Sequence, residues 1–215
     1  MALTPDYDQG ADNDDCEIVI YPPMVDGVLL NLLRQLYSDP EYHFSPYIAG
    51  LLRKHGHWQE GNPSTIVIEE WMKFDPAAME ARPGIFVRDL SLQRQPVGLS
   101  GDQYSEDLST GITSHWNFWR GSVMAMHVAN NTTEAKFLAW QSAKSLTEIS
   151  KVVTTQTSLG EFSVAQVGEA RPLKESQKHF AAPVVLNYTC PHSWDLQPDL
   201  PRLKFVGFEV DGGIR

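Results

Sequence analysis

The side chains best suited to chemistry near the middle of the first half of the chain are His55, His57 and Glu60. Two histidines at i and i+2 share a face where the backbone is extended, so they could begin a metal site. A zinc site takes four ligands, however, and Glu60 is the only further candidate nearby. The spacing therefore favours ordinary loop histidines, and a metal-assisted hydrolase built on them stays an alternative.

The acidic start of the chain is a second candidate, for calcium. Its acids match positions of the twelve-residue calcium loop of an EF-hand, but the position that requires glycine is Ala11 and no helix is predicted to precede the loop. The acids concerned are Asp6, Asp8, Asp12, Asp14 and Glu17. A solvated, flexible acidic arm over residues 1–17 fits these residues better than a calcium site.

The other histidines are predicted to be structural. His127 falls in a predicted strand, where a satisfied, partly buried histidine is expected. Three more stand beside or near aromatic residues and indicate aromatic packing: His115, His179 and His192, near Trp116, Phe180 and Trp194. No nucleophile elbow, phosphate loop, dinucleotide fingerprint or HExxH motif occurs. We therefore expect a protein that is not an enzyme and that has no catalytic residues, cofactor or metal.

An aromatic run ending in arginine is the strongest candidate for a binding surface. Trp, Phe and Arg are enriched at interface cores, and the run contains Trp116, Trp119 and Arg120. Simple alternation would turn Trp116 and Phe118 toward the core, and Asn117 and Trp119 outward. The preceding polar loop, residues 98–110, is expected to be mobile or a contact element. The candidate interface residues are Trp119, Arg120, Tyr104 and Trp116.

Charge and composition limit the partners. The net charge is −10, and residues 1–20 carry six acids and no Lys or Arg. Without a basic cluster, tight binding to nucleic acid or to a membrane surface is not expected. No apolar stretch approaches the roughly 20 residues of a membrane span. Two cysteines and the lack of a secretory signal favour synthesis in a reducing cytoplasm.

Helices are predicted at two places. Asp26 can cap a helix that ends near residues 38–40 and buries a leucine face. Asn131 and its neighbours open a second, amphipathic helix with Glu134 in its first turn. Residues 40–63 show weak periodicity and are expected to be irregular. The sequence thus predicts two main helices.

Strands are predicted between and after these helices. Residues 65–71 and 84–88 are rich in β-branched and aromatic residues. A hairpin is expected around Arg120 and Gly121, and later strands at 161–167, 180–190 and 203–210. Strands in consecutive runs imply an α+β fold, a largely antiparallel sheet flanked by the helices. Residues 18–215 are expected to form one domain behind the arm.

Several short motifs occur at residues 82–88 (RPGIFVR), 120–122 (RGS), 167–168 (VG) and 179–184 (HFAAPV), together with the helix carrying Glu134 and Ala139. The chain resembles in these motifs the neck and tail terminator proteins of tailed bacteriophages, and the similarity spans about residues 64–205.

The resemblance implies a ring-forming subunit, commonly sixfold, that caps the tail tube and connects it to the head. Its implied partners are further copies of itself, the tail tube protein and a head-completion, adaptor or portal-side neck protein. DNA would pass through the channel without tight binding. The protein would be made in the host bacterial cytoplasm and end in the virion. A head-completion adaptor or another neck ring fits the same residues, and a monomeric binding module using residues 98–120 is a further alternative.

Overall fold

One mixed sheet with three helices on one face organises the chain. The computed structural model describes residues 18–39, 45–62, 65–79, 83–96, 103–106, 112–174, 176 and 178–196. The strands are β1 (Val67–Glu70), β2 (Gly84–Gln95), β3 (Gln103–Glu106), β4 (Thr113–Ala129), β5 (Glu161–Val167), β6 (Arg171–Pro172) and β7 (Phe180–Leu196). The helices are α1 (Val25–Ser38), α2 (Pro46–His55) and α3 (Thr132–Gln156).

The sheet has the strand order β1-β2-β4-β7-β5, with β3 also paired to β4 and β6 to β7. Only β1 and β2 run parallel, and every other pairing is antiparallel. The central pair is β4 and β7, which are in register from Thr113↔Leu196 to Ala129↔Phe180. The predicted α+β class with a largely antiparallel sheet is confirmed.

The two predicted helices form, with one difference at a helix start. In α3 the Asn131 side chain accepts a hydrogen bond from the Glu134 amide at 2.8 Å, as the capping pattern predicts. In α1 the N-cap residue is Met24, and Asp26 lies inside the first turn, where its charge complements the helix dipole. A short 3-10 turn at Pro22–Met24 leads into this helix.

A third helix, α2, corrects the expectation that residues 40–63 are irregular. Its start is well specified, because the Ser45 side chain accepts from the Ile48 amide and Pro46 occupies the first turn. It ends at Gly56, whose φ of 83° suits glycine. Ile48, Leu51 and Leu52 are buried. The helix is short, so only about three turns of periodicity were available to reveal it.

The hairpin expected around Arg120 and Gly121 does not form, since β4 runs unbroken through both residues. Gly121 has another reason to be glycine. A Cβ there would collide with the ring of Tyr188, which crosses it from the neighbouring strand. Close approach, and not a turn, requires the glycine.

The two faces of the sheet differ in what covers them. On the helical face, α1, α2 and α3 enclose the main core with Val123, Ala125, Val184 and Leu186. On the opposite face, called here the open face, a smaller cluster around Phe86, Met79 and Val128 covers one end. Alternation along β7 is as predicted, because Ala182, Val184, Leu186 and Tyr188 are buried while Asn187 and Thr189 are half-buried.

Three predictions fall wholly or largely outside the described residues: the acidic arm at 1–17, the strand at 203–210 and most of the loop at 98–110. Within that loop, Gln103–Glu106 is strand β3 and pairs with β4. None of the helices in the described part is long and apolar enough to cross a bilayer.

Candidate functional site

The end of the sheet farthest from the β4–α3 connection contains most of the predicted site residues. We call it the distal ribbon, consisting of β3, residues 113–121 of β4 and residues 188–196 of β7. Because β4 and β7 pair along their whole length, these segments stay side by side to the end. Little of the apolar core reaches this far, and Trp119, Tyr188 and Cys190 are its contributions among the described residues.

The predicted orientation of the aromatic run is reversed. Trp119 pairs with Cys190 and packs, partly buried, against the main core on the helical face. Asn117 lies on the same face and is 3% exposed. Because β4 is uninterrupted, every second residue counted back from the buried Val123 and Ala125 lies on the helical face, and these include Trp119 and Asn117. The predicted alternation was therefore shifted by one residue.

Two of the other candidate interface residues lie on the opposite face of the sheet from Trp119. Arg120 is exposed and Trp116 half-buried, both on the open face. The backbone of Tyr104 pairs with His115, while its side chain is outside the described part of the structure. Trp119 therefore lies on the opposite face of the ribbon from Arg120 and Trp116, and these three side chains do not form one continuous patch. Arg120 is the one whose exposed side chain fits the predicted contact role without change.

Aromatic packing of two histidines is confirmed in the ribbon. The His115 ring stacks on Trp194 with centroids 5.2 Å apart and planes 9° apart. His192 also meets Trp194, with centroids 5.3 Å apart. His179 behaves differently, since its ring nitrogens contact the Ser176 hydroxyl at 2.7 Å and the Met79 carbonyl at 3.3 Å. It is a hydrogen-bonded residue and not an aromatic partner.

Asn117 and His192 face each other across β4 and β7 and share an unusual property. The Oδ1 atom of Asn117 and the Nδ1 atom of His192 are buried, and neither has a hydrogen-bond partner among the described residues. Leaving a buried polar atom unsatisfied costs about 1–3 kcal/mol. Both atoms are enclosed within the subunit, so another chain can bond to them only if the ribbon rearranges on contact. Sequence reasoning missed this pair because it depends on the register between two distant segments.

His127 shows the opposite condition on the same face of β4. It is fully buried, with Nδ1 3.2 Å from the Ala182 carbonyl and Nε2 2.7 Å from the Ser142 hydroxyl. Burial lowers the pKa of His127 to about 4, so the ring is neutral at physiological pH. The prediction of a satisfied, structural histidine is confirmed.

The outer edge of β7 in the ribbon lacks a strand partner within the described residues. Strand β5 pairs with β7 only as far as Glu161↔Thr189. The Thr189 carbonyl accepts a hydrogen bond from the Gly160 amide, so this carbonyl points away from β4. Because every second residue of a strand directs its backbone groups to the same side, those of Pro191, Ser193 and Asp195 also point away from β4. Pro191 has no amide to offer, and this confines it to such an edge. Within the described residues, the amides and carbonyls of Ser193 and Asp195 have no hydrogen-bond partner on this edge.

The histidines considered for a metal do not gather further ligands in the part of the chain described. No group of three or more His, Cys, Asp or Glu side chains there could hold an ion. His55 ends α2 and His57 follows it. Partial burial, and then the nearby Lys54 charge, lower the pKa of His55.

Comparison with known proteins adds no identity. No protein-family model matches the chain, and no curated protein matches it significantly.

Proposed function

We propose that this chain is a ring-forming structural subunit, not an enzyme, at the head-to-tail junction of a tailed-phage virion. Within that role we favour the tail terminator, which caps the tail tube and connects it to the head. The proposal starts from the resemblance in the sequence. The observation that supports it most is the edge of β7 in the distal ribbon, which has no strand partner in the part of the chain that the structure describes.

An unpaired strand edge is a ready template for another chain, and soluble proteins usually blunt or cover it. In the ribbon, β7 offers one edge, and β3 lies on the other side of β4 with its own outer edge unpaired among the described strands. The two edges differ. A contact between β7 of one copy and β3 of the next would therefore be head-to-tail, and such contacts close into a ring when the rotation allows.

Several motif residues of the resemblance have clear roles in building the sheet. Gly121 passes beneath Tyr188, and Gly168 lies against Pro183 with its amide donating to the Pro183 carbonyl at 2.7 Å. Pro183 directs its missing amide away from β4, so it does not interrupt the central ladder. These positions support the sheet architecture that the resemblance implies, whereas the junction role rests on the free edges.

The charge pattern suits a channel through which DNA must move. Outside the first 20 residues the chain carries 21 acids and 17 bases, with no run of Lys and Arg along the sequence. A lining that bound phosphates tightly would hold the DNA back. The partners proposed are neighbouring copies, the tail tube protein and an adaptor or portal-side neck protein.

The direct test is deletion of the gene from the phage, followed by electron microscopy of the lysate. We expect filled heads and separate tails that fail to join, because neither meets its complementary face. Tubes should also overgrow, since an uncapped terminal ring keeps a vacant head-to-tail interface. Normal-length tails joined to heads would refute the terminator assignment. Separate heads with normal-length tails would instead indicate the adaptor role.

A point substitution tests the edge itself. Ser193→Pro removes an amide that faces away from β4, so the β4–β7 ladder is kept while strand addition is blocked. Ser193→Ala, which keeps that amide, is the matched control. We expect the proline variant to purify as a folded subunit that no longer forms rings in sedimentation or native mass spectrometry. Rings that survive Ser193→Pro would rule out this edge as the contact.

A further inference from the structure

A cleft lies on the open face of the sheet, away from the distal ribbon. It has a volume of about 500 Å³ and lies between Trp71 and the segment from Gly168 to Lys174. Its floor is apolar, formed by Met126, Ala181 and Pro183. A cleft of this size can hold a few residues of an extended chain, with one large side chain on the floor.

The rim of this cleft is cationic in an otherwise acidic protein. Arg88, Arg171 and Lys174 line it, against the single carboxylate of Glu169, while the whole chain has a net charge of −10. The Arg88 guanidinium lies 5.5 Å from the centre of the Trp71 ring. The Arg171–Glu169 pair is 3.7 Å long with both side chains about four-fifths exposed, so water weakens it and another carboxylate can compete.

An apolar floor within a cationic rim selects one kind of ligand, an acidic segment that carries an aromatic or aliphatic residue. The aromatic side chain would pack on Met126 and Pro183. Flanking carboxylates would pair with the rim, where arginine offers two parallel donors to a carboxylate.

This chain has such a segment at its own start. Residues 1–17 contain six acids and no Lys or Arg, and Tyr7 stands between Asp6 and Asp8. Among the arm residues, only this tyrosine is an aromatic side chain flanked by acids on both sides.

The start of the described chain is close enough for the arm to reach. Ile18 is hydrogen-bonded to Gln156 and Ser158 beside the beginning of β5. The beginning of β5 lies beside Thr189 of β7. The distance along β7 from Thr189 to Pro183 in the cleft is six residues, or about 20 Å at the rise of a strand. Eleven residues separate Ile18 from Tyr7, and they can span about 36 Å. The excess length allows the chain to pass around the sheet edge.

We propose that the cleft lined by Arg88, Arg171 and Lys174 binds the acidic N-terminal segment of the same chain, with Tyr7 on the floor and Asp6 and Asp8 on the rim. Tethering raises the local concentration of the segment to the millimolar range, so modest contacts suffice. The sequence alone predicts a flexible arm over residues 1–17 because it shows no binding partner for them. The cleft is such a partner. This inference is independent of the proposed virion role.

The test is chymotryptic cleavage after Tyr7 in the intact protein at low salt, measured by mass spectrometry against a free peptide of residues 1–17. We expect wild type to be cleaved about tenfold more slowly than the peptide, as a few charge-assisted contacts and one anchor allow. Arg171→Glu with Lys174→Glu should restore the rate of the peptide. The matched control, Arg53→Glu with Lys136→Glu, changes the same charge elsewhere on the surface and should stay protected.

Charge exchange makes the test specific. The arm variant Asp6→Lys with Asp8→Lys should also lose its protection from chymotrypsin, when its cleavage rate is compared with that of a free peptide carrying the same changes. Combining the arm variant with Arg171→Glu and Lys174→Glu should restore the protection. Should the double cleft variant misfold, Lys174→Glu alone and a titration of wild type to high salt give the same readout, because exposed ion pairs are screened.

Three outcomes would overturn the proposal. Cleavage of wild type at the rate of the free peptide would show that Tyr7 is not held. Protection that persists in the cleft variants would place the arm elsewhere. Protection that increases with protein concentration would assign the cleft to the arm of a second copy.

Discussion

His127 and Asn117 lie on the same face of the same strand, yet their surroundings are opposite. The ring of His127 is enclosed on the helical face and both its nitrogens are bonded. Asn117 is almost as well buried, but its Oδ1 atom has no partner within the described residues. Helices α1 to α3 cover the first residue, while the second belongs to the distal ribbon.

This difference separates polar residues that hold the fold from polar residues available to a partner. A buried polar group that is fully bonded strengthens a unique packing, whereas one left unbonded lowers stability. The isolated chain tolerates that cost at Asn117 and His192 in the ribbon, and also at His57 outside the sheet. If the ribbon is a contact surface, its unsatisfied atoms gain their bonds on assembly.

The largest effect is expected at His127. Replacing it with leucine removes its bonds to the Ala182 carbonyl and the Ser142 hydroxyl, although the Tyr37 hydroxyl still contacts Ser142 at 2.9 Å. We expect a loss of about 3 kcal/mol in the free energy of unfolding. Urea denaturation measures it. A loss below about 1 kcal/mol would mean that the His127 network contributes little, and the contrast between the two regions would fail.

Gly121 marks the border between the two regions and should give the next largest effect. In Gly121→Ala the new methyl group must displace the Tyr188 ring, which borders a cavity of about 320 Å³ formed with Pro22, Pro23 and Leu92. Because the ring can move into that space, we expect a cost of about 2 kcal/mol. Arg120→Ala, one residue before it and with an exposed side chain, is the control. Equal stability of Gly121→Ala and wild type in urea would contradict the close approach.

The pH dependence of stability tests the enclosed half in another way. His127 has a folded-state pKa of about 4, against 6.5 for an exposed histidine. Between these values the unfolded chain binds the extra proton, so stability is full above pH 6.5 and decreases as the pH decreases toward 4. The slope reaches about 1.4 kcal/mol per pH unit.

His127→Gln provides the comparison, because the other titrating groups are common to both proteins. Its unfolding free energy should be less dependent on pH than that of wild type over this window. Identical slopes would show that His127 does not stay neutral in the folded protein.

Much of the fold could be predicted from the sequence because the patterns are local. Asn131 caps α3, and the alternation from Ala182 to Tyr188 places β7 against the core. Helix α2 was missed because it is short and contains glycine, although Ser45 and Pro46 were a readable start signal. The hairpin was wrong because Gly121 looked like a turn residue, and only a tyrosine 67 positions later explains it.

The candidate site was less predictable because it depends on pairing between distant segments. Trp119 and Arg120 are neighbours in β4 but lie on opposite faces, and the face of each follows from the register of β4 on β2 and β7. The unsatisfied pair of Asn117 and His192 and the free edge at Ser193 exist only once β7 is aligned with β4. No local periodicity carries that alignment.

The smallest effect on the isolated chain, and the one that bears most directly on the ribbon, is expected for Asn117→Leu. Because Asn117 Oδ1 has no partner in the described structure, removing it loses no hydrogen bond of that atom and relieves a buried polar group. The free energy of unfolding should change by less than about 0.5 kcal/mol or increase slightly. Asn187→Leu is the matched control on the same strand pair, since Asn187 Oδ1 accepts from the Ser122 hydroxyl at 2.9 Å, and its loss should cost about 1 kcal/mol.

Assembly should show the reverse order: if Asn117 bonds to a neighbouring subunit, the Asn117 variant should form rings more weakly in native mass spectrometry than the Asn187 variant does. A larger loss of monomer stability for Asn117→Leu than for Asn187→Leu would show that Asn117 holds the fold, and the division between the two regions of the sheet would not stand.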